Sequence, residues 1–246
     1  MDDRAFKPFE DLVKQITQSG HARWEVFRDF CEMGALSYQN AFLQDPKIED
    51  RYLKVAGRYD REDLNRFAKM LAVTAEGLDP VDEDFLGQVF MRLELSDAWG
   101  GQFFTPLSIA QLMARANLDG LEGALAKKPA VTIHDPACGA GAMALACVRE
   151  FLDRGYNPQT QMRFVGIDKD ATTAYMAYVQ LTLLGVPAEI FVGNSLTTEI
   201  RERWVTPAVP LAIHAARGLE SLMAQGADME MPTDQEGQGL LFEEAG

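Results

Sequence analysis

The sequence predicts an α/β fold: a helical amino-terminal region followed by a partial doubly wound domain built on a parallel sheet. Two observations carry this. Up to about residue 96, apolar residues recur at three- and four-residue spacing, as on the buried face of a helix. Beyond Gly100, short apolar runs alternate with helical stretches and glycine turns, which is the plan of a parallel sheet with crossover helices.

The helical region reads as the segments FEDLVKQI, ARWEVFRDFCEMGALSYQNAFL, REDLNRFAKMLAVTAE and EDFLGQVFMRLEL. Trp24, Phe27, Phe30 and Cys31 form one apolar stripe, best read as packing between helices. Breaks are expected at Asp45-Pro46, near Gly57 and at Gly77-Leu78-Asp79-Pro80, where Gly and Pro interrupt the helical pattern. Strands are expected over about 131–135, 163–168 and 189–193. The domain plan is then 1–96 helical, 97–223 ligand-binding, and 224–246 an acidic tail rich in Gly and Gln with too little apolar content to fold alone.

Composition bounds the function. Of 246 residues, 47% are hydrophobic and 24% charged, an ordinary globular balance. No apolar run approaches the ~20 residues of a membrane span. The start, MDDRAFKPFEDLVKQ, lacks the basic-then-apolar pattern of a secretory signal. Three scattered cysteines, Cys31, Cys138 and Cys147, form no disulfide framework or zinc knuckle, so a cytoplasmic protein without a metal site is expected. The net charge of −14 argues against strong DNA binding by the chain alone, because phosphate neutralisation supplies most of such affinity. From Glu220 onward there are seven acidic residues and no Lys or Arg.

The chemistry concentrates in Asp135-Pro136-Ala137-Cys138-Gly139-Ala140-Gly141, a glycine turn between a strand and a helix. Gly139 and Gly141 let the backbone approach a ligand where a Cβ would collide. A carboxylate at Asp135 would repel a pyrophosphate but suits a cationic amino group, pointing away from NAD and towards S-adenosylmethionine. Asp168, about thirty residues on, ends the next strand and so faces the same crevice. It can accept bonds from both ribose hydroxyls. As a plainer alternative it caps the following helix. Asn194, ending the third strand, is placed to meet an adenine edge or is simply a turn residue.

Taken in order, Gly101-Gln102-Phe103-Phe104-Thr105-Pro106, Asp135 to Gly141, Gly166-Ile167-Asp168 and Gly193-Asn194-Ser195-Leu196 resemble the motifs of adenine-N6 DNA methyltransferases, most of all the modification subunit of type I restriction–modification systems. The resemblance covers roughly residues 82–197 and implies a Rossmann-like fold with S-adenosylmethionine as cofactor. It implies that Phe103, Phe104 and Thr105 pack on and bond the methionine end. Asp135, Pro136, Cys138, Gly139 and Gly141 would form the loop at the amino-acid moiety, Asp168 would hold the ribose, and Asn194 the adenine. The family's Asn-Pro-Pro-aromatic motif, which grips the flipped target base, has no match after Asn194. Asn157-Pro158 precedes the second strand, and Trp204-Val205-Thr206-Pro207 lacks both the Asn and the second proline. No catalytic residue is therefore assigned.

Three functions remain open: a cofactor-binding relative that needs a partner or has lost catalysis, a non-catalytic module that interferes with restriction–modification, or a methyltransferase with another acceptor. In the family's sheet a fourth strand flanks the first. Without it, Val131–Asp135 is an exposed edge. A cover is expected from a second copy, from a partner subunit, or from the segment WVTPAVPLAIHAARGLESLMA. Finally, Gln238-Gly239-Leu240-Leu241-Phe242 resembles the peptides by which bacterial DNA-processing proteins dock on the replication sliding clamp, although Gly239 departs from the usual apolar residue.

Overall fold

A computed structural model of the chain describes residues 5–79, 81, 84–95 and 104–211. The described residues up to 210 belong to one compact unit. Phe103 with Gly101 and Gln102, and the whole tail 224–246 with its segment Gln238–Phe242, lie outside the described residues.

Five helices come first: α1 (Phe6–Thr17), α2 (Arg23–Leu43), α3 (Pro46–Ala56), α4 (Arg61–Gly77) and α5 (Phe85–Arg92). The expected breaks fall where capping chemistry puts them. Asp45 caps α3 by accepting from the Lys47 N–H at 2.9 Å, with Pro46 at the first helical position. Asp60 caps α4 through the Asp63 N–H at 2.8 Å. The helices bury an aromatic cluster in which Phe9 meets Phe30 edge-on at 5.2 Å and Phe27 meets Phe90 at 5.9 Å. Phe27, Phe30 and Cys31 are buried as expected, but Trp24 is 38% exposed, its ring covered by the Arg28 guanidinium at 4.9 Å.

The second half runs α6 (Leu107–Asn117), α7 (Leu121–Leu125), β1 (Val131–Asp135), α8 (Ala142–Asp153), α9 (Pro158–Gln161), β2 (Met162–Asp168), α10 (Ala171–Leu183), β3 (Ala188–Asn194) and β4 (Glu199–Val205). The sheet order is β1-β2-β3-β4, with β1, β2 and β3 parallel. Residues Thr172 to Leu181 of α10 are all buried. A helix apolar all round needs cover all round: α10 lies against β2 and β3 on one side and packs with α2, α4 and α5 on the other. The helical region is therefore the second wall of the sheet's helix layer.

Two expectations change. The sheet does not stop at the third strand, because β4 pairs antiparallel with β3, Ile190 opposite Trp204 and Asn194 opposite Glu199. A glycine makes this approach possible: a Cβ on Gly193 would lie 2.3 Å from the Glu199 carbonyl oxygen. Secondly, Trp204 and Val205, the start of the segment expected to cover β1, sit in β4 at the opposite edge. Thr206 fixes them there. Its hydroxyl accepts from the Ala188 N–H and donates to the Val186 carbonyl, both at 2.8 Å. Among the described residues β1 pairs only with β2.

The far edge is closed by a side chain. Gln39 of α2 donates to the Arg203 carbonyl at 3.2 Å and accepts from the Val205 N–H at 3.0 Å, so its amide stands in for a fifth strand. Nearby, the Arg51 guanidinium of α3 bonds Glu32 at 2.7 Å and Glu202 at 3.3 Å, and also bonds the Tyr175 hydroxyl. That single side chain ties α2, α3, α10 and β4 together.

Candidate functional site

The carboxyl ends of β1, β2 and β3 open on one crevice of about 330 Å³, lined among others by Phe104, Pro136, Gly139, Asp168, Lys169 and Asn194. This is where parallel α/β sheets take ligands, because the chain reverses there and leaves a gap between loops.

The turn that floors the crevice is pinned on several sides. The Cys138 N–H donates to the Ile167 carbonyl at 3.0 Å, and the Gly139 N–H donates to Asp168 Oδ2 at 2.9 Å. Gly139 has φ +53°, and a Cβ there would reach the Phe104 ring at 3.4 Å. The ring itself is held edge-on to Phe90 at 5.1 Å. Asp168 Oδ1 accepts from the Asp170 N–H at 2.9 Å and the Thr173 hydroxyl at 3.0 Å. The helix cap of the following α10 is Asp170, which accepts from the Thr173 N–H. Asp168 thus orders the turn and faces the crevice.

The predicted residues do not all gather. Phe104, Pro136, Gly139, Asp168 and Asn194 line the crevice together. Thr105 is exposed beside α5 and α6, in a different cavity that shares only Phe104 with the crevice. The Cys138 thiol turns inward onto Gly166, whose added Cβ would lie 2.9 Å from Sγ. Burial, with Asp168 and Asp135 adding to it, pushes that thiol well above the ordinary range, so it stays protonated and inert. Gly141 (φ +96°) faces α10, where a Cβ would meet that of Ala177 at 3.3 Å; its service is helix packing. Asp135 accepts from the Ala137 N–H at 3.0 Å and lines a second groove, about 500 Å³, along the open edge of β1. Burial raises its carboxyl pKa, and the neighbouring Asp168 charge adds to the rise.

Sequence reasoning passed over Lys169, Thr173 and Ser195, which also line the crevice. Lys169 directly follows Asp168, and Ser195 stands in the quoted motif Gly193-Asn194-Ser195-Leu196 but was given no role, so adjacency was the available signal. Thr173 lies one helical turn into α10 and left none.

A family model for N-6 DNA methylases matches residues 83–210, more than half of the chain. The chain belongs to the N-6 DNA methylase family. Among solved structures it is similar to a protein of Listeria monocytogenes assigned as a class I S-adenosylmethionine-dependent methyltransferase, at 18% identity and TM-score 0.42, covering 82% of this chain and 57% of that one. It is also similar to a type I restriction–modification methyltransferase subunit of Streptococcus thermophilus, at 16% identity and TM-score 0.36, covering 75% of this chain and 55% of that one. This N-6 DNA methylase relative thus spans little more than half the length of either. No curated protein matches it. No helix among the described residues is long and apolar enough to cross a membrane.

Proposed function

We propose that the chain binds S-adenosylmethionine in the crevice at the ends of β1, β2 and β3, and serves as the cofactor-holding part of an adenine-N6 DNA methyltransferase completed by a partner subunit. The observation that carries the reading is the convergence of Phe104, Gly139, Asp168 and Asn194 on one crevice in a chain of this family.

The residues fit the cofactor's chemistry. A carboxylate offers about four acceptor positions, and Asp168 fills three with protein donors. One position is free for a ribose hydroxyl. The Thr173 hydroxyl already has a second acceptor, the Asp170 carbonyl at 3.1 Å, and can yield another. The Asp168 carboxylate suits a ligand that carries positive charge, whereas Asp135 lines the neighbouring groove along β1. S-adenosylmethionine would supply an electrophilic methyl group there. The chain's own part is to bind and orient that ligand with Phe104 as a wall and Gly139 leaving the floor clear.

Titration calorimetry with S-adenosylmethionine tests this. Losing a charge-assisted bond costs roughly 1.5–3 kcal/mol, so Asp168→Ala should weaken binding on the order of ten- to a hundredfold. Equal affinity in wild type and variant would sink the assignment.

Transfer to DNA is expected only with the partner present. The Asn-Pro-Pro-aromatic motif is missing after Asn194, and a net charge of −14 gives poor affinity for phosphates. Radiolabelled methyl transfer to DNA by the purified chain should not exceed that of a Gly139→Trp control; specific adenine methylation above it overturns the partner requirement. The same missing motif favours one other reading, a non-catalytic module that occupies a subunit's place in a restriction–modification assembly. That module would bind cofactor and partner but yield no methylation in any mixture.

A further inference from the structure

Gln180, in the middle of α10, is fully buried, and every group of its amide that faces a partner is used. Its Nε2 donates to the Asp84 carboxylate and to the Ala140 carbonyl, both at 2.9 Å, while its Oε1 accepts from the Leu86 N–H at 3.0 Å. Two acceptors on one side and a donor on the other fix the orientation of the amide. Asp84, also buried, caps α5 by accepting from the Gly87 N–H at 2.9 Å. Gly87 admits no side chain, since a Cβ would fall 2.1 Å from Asp84 Oδ2. Ala140 stands between Gly139 and Gly141 in the turn that floors the crevice.

We infer that Gln180 is a positioning residue for the cofactor turn: with Asp84 it fastens the Ala140 carbonyl to the capped start of α5, so that the helical region sets the height of the crevice floor. The turn then has anchors of two origins. Asp168 and the Ile167 carbonyl hold it from β2. Among the described residues, Gln180 supplies the hydrogen bond that holds it from α10 and, through Asp84 and Leu86, from the helical half. α5 also supplies Phe90, which supports the Phe104 ring, so floor and wall take their placement from the same helix.

The test has two readouts. The first, hydrogen exchange of the 138–142 amides in the unliganded protein, is independent of the cofactor. The second, S-adenosylmethionine affinity, rests on the cofactor reading above. Gln180→Met keeps length and bulk but makes no hydrogen bonds. It should speed exchange in the turn at least tenfold while β3 and α2 stay protected, and weaken S-adenosylmethionine binding about tenfold. Asp84→Asn keeps the acceptor for Gln180 and Gly87, so its exchange and binding should stay at wild-type values. If Gln180→Met fails to fold, Asp84→Ala removes one arm of the bridge and must loosen the turn in the same selective way. Unchanged exchange in the turn, or a rise spread evenly over the whole chain, overturns the inference. Failure of the wild-type chain to bind S-adenosylmethionine would overturn the cofactor reading alone and leave the exchange result to decide on Gln180.

Discussion

Asp135 and Asp168 sit at the ends of neighbouring strands, and their charges oppose each other in a half-buried setting. A carboxyl whose pKa is raised on folding stabilises the fold only while it is protonated. That contribution is present below the unfolded pKa and is lost as pH rises through the folded one. At neutral pH Asp135 is therefore a burden on the empty protein. Asp135→Asn keeps the acceptor for the Ala137 N–H and should raise the melting temperature at pH 7 slightly, since solvent screens the half-exposed carboxylate. The gain should fade as pH falls into the carboxylate range, because Asp135 then neutralises itself. Melting curves from pH 4 to pH 8 check the sign; a gain that grows on acidification would refute it. Part of this was legible in the residues. Asp168 and Gly139 could be placed at one crevice because strand ends and glycine turns announce themselves. The facing of Asp135 towards the β1 groove could not, since it depends on the loop's path after the strand. Nor could the inward turn of Cys138, which is decided by the bare backbone of Gly166.

Among elements, the contact of α8 with α10 depends on one missing side chain. Gly141 opens α8 with a positive φ and with Ala177 of α10 directly against it. Gly141→Val combines a strained β-branched residue with overpacking and should cost about 2–4 kcal/mol, read from urea unfolding. A loss below ~0.5 kcal/mol would mean that the two helices part without penalty. The elements that sequence reasoning found are those written in apolar periodicity: α1, α2, α4, α5, the crossover helices α8 and α10, and the three parallel strands. Two that it missed, β4 and α3, carry charge instead. β4 reads EIRERWV, four charged residues in seven, and its pairing rests on Gly193 and Thr206 rather than on an apolar pattern. Helix α3 buries only Val55 and Ala56 and is placed by its caps and by Arg51.

At the scale of the molecule, the two sheet edges differ. β4 carries Glu199, Arg201, Glu202 and Arg203 and is met by Gln39, while β1 has Val131, Thr132, Ile133 and His134 and no bulge. Beside β1 runs the groove lined by Met113, Leu118, Leu121 and Met143. We expect a partner subunit to pair there; the chain's acidity works against a second copy. Ile133→Lys should abolish co-elution with the subunit in light-scattering chromatography and leave the circular dichroism of the chain unchanged. Retained association by this variant would move the interface elsewhere.

Gln39 has a consequence for assembly size. A sheet open at both sides can add chains without limit, as fibres do. With one side met at Arg203 and Val205 by an amide from its own α2, the sheet has, among the described residues, one edge left to pair, along β1. Strand pairing through this chain therefore ends after one step, in a closed complex of fixed stoichiometry. The scattering mass should accordingly plateau at one discrete value as partner is added in excess, and not climb with concentration.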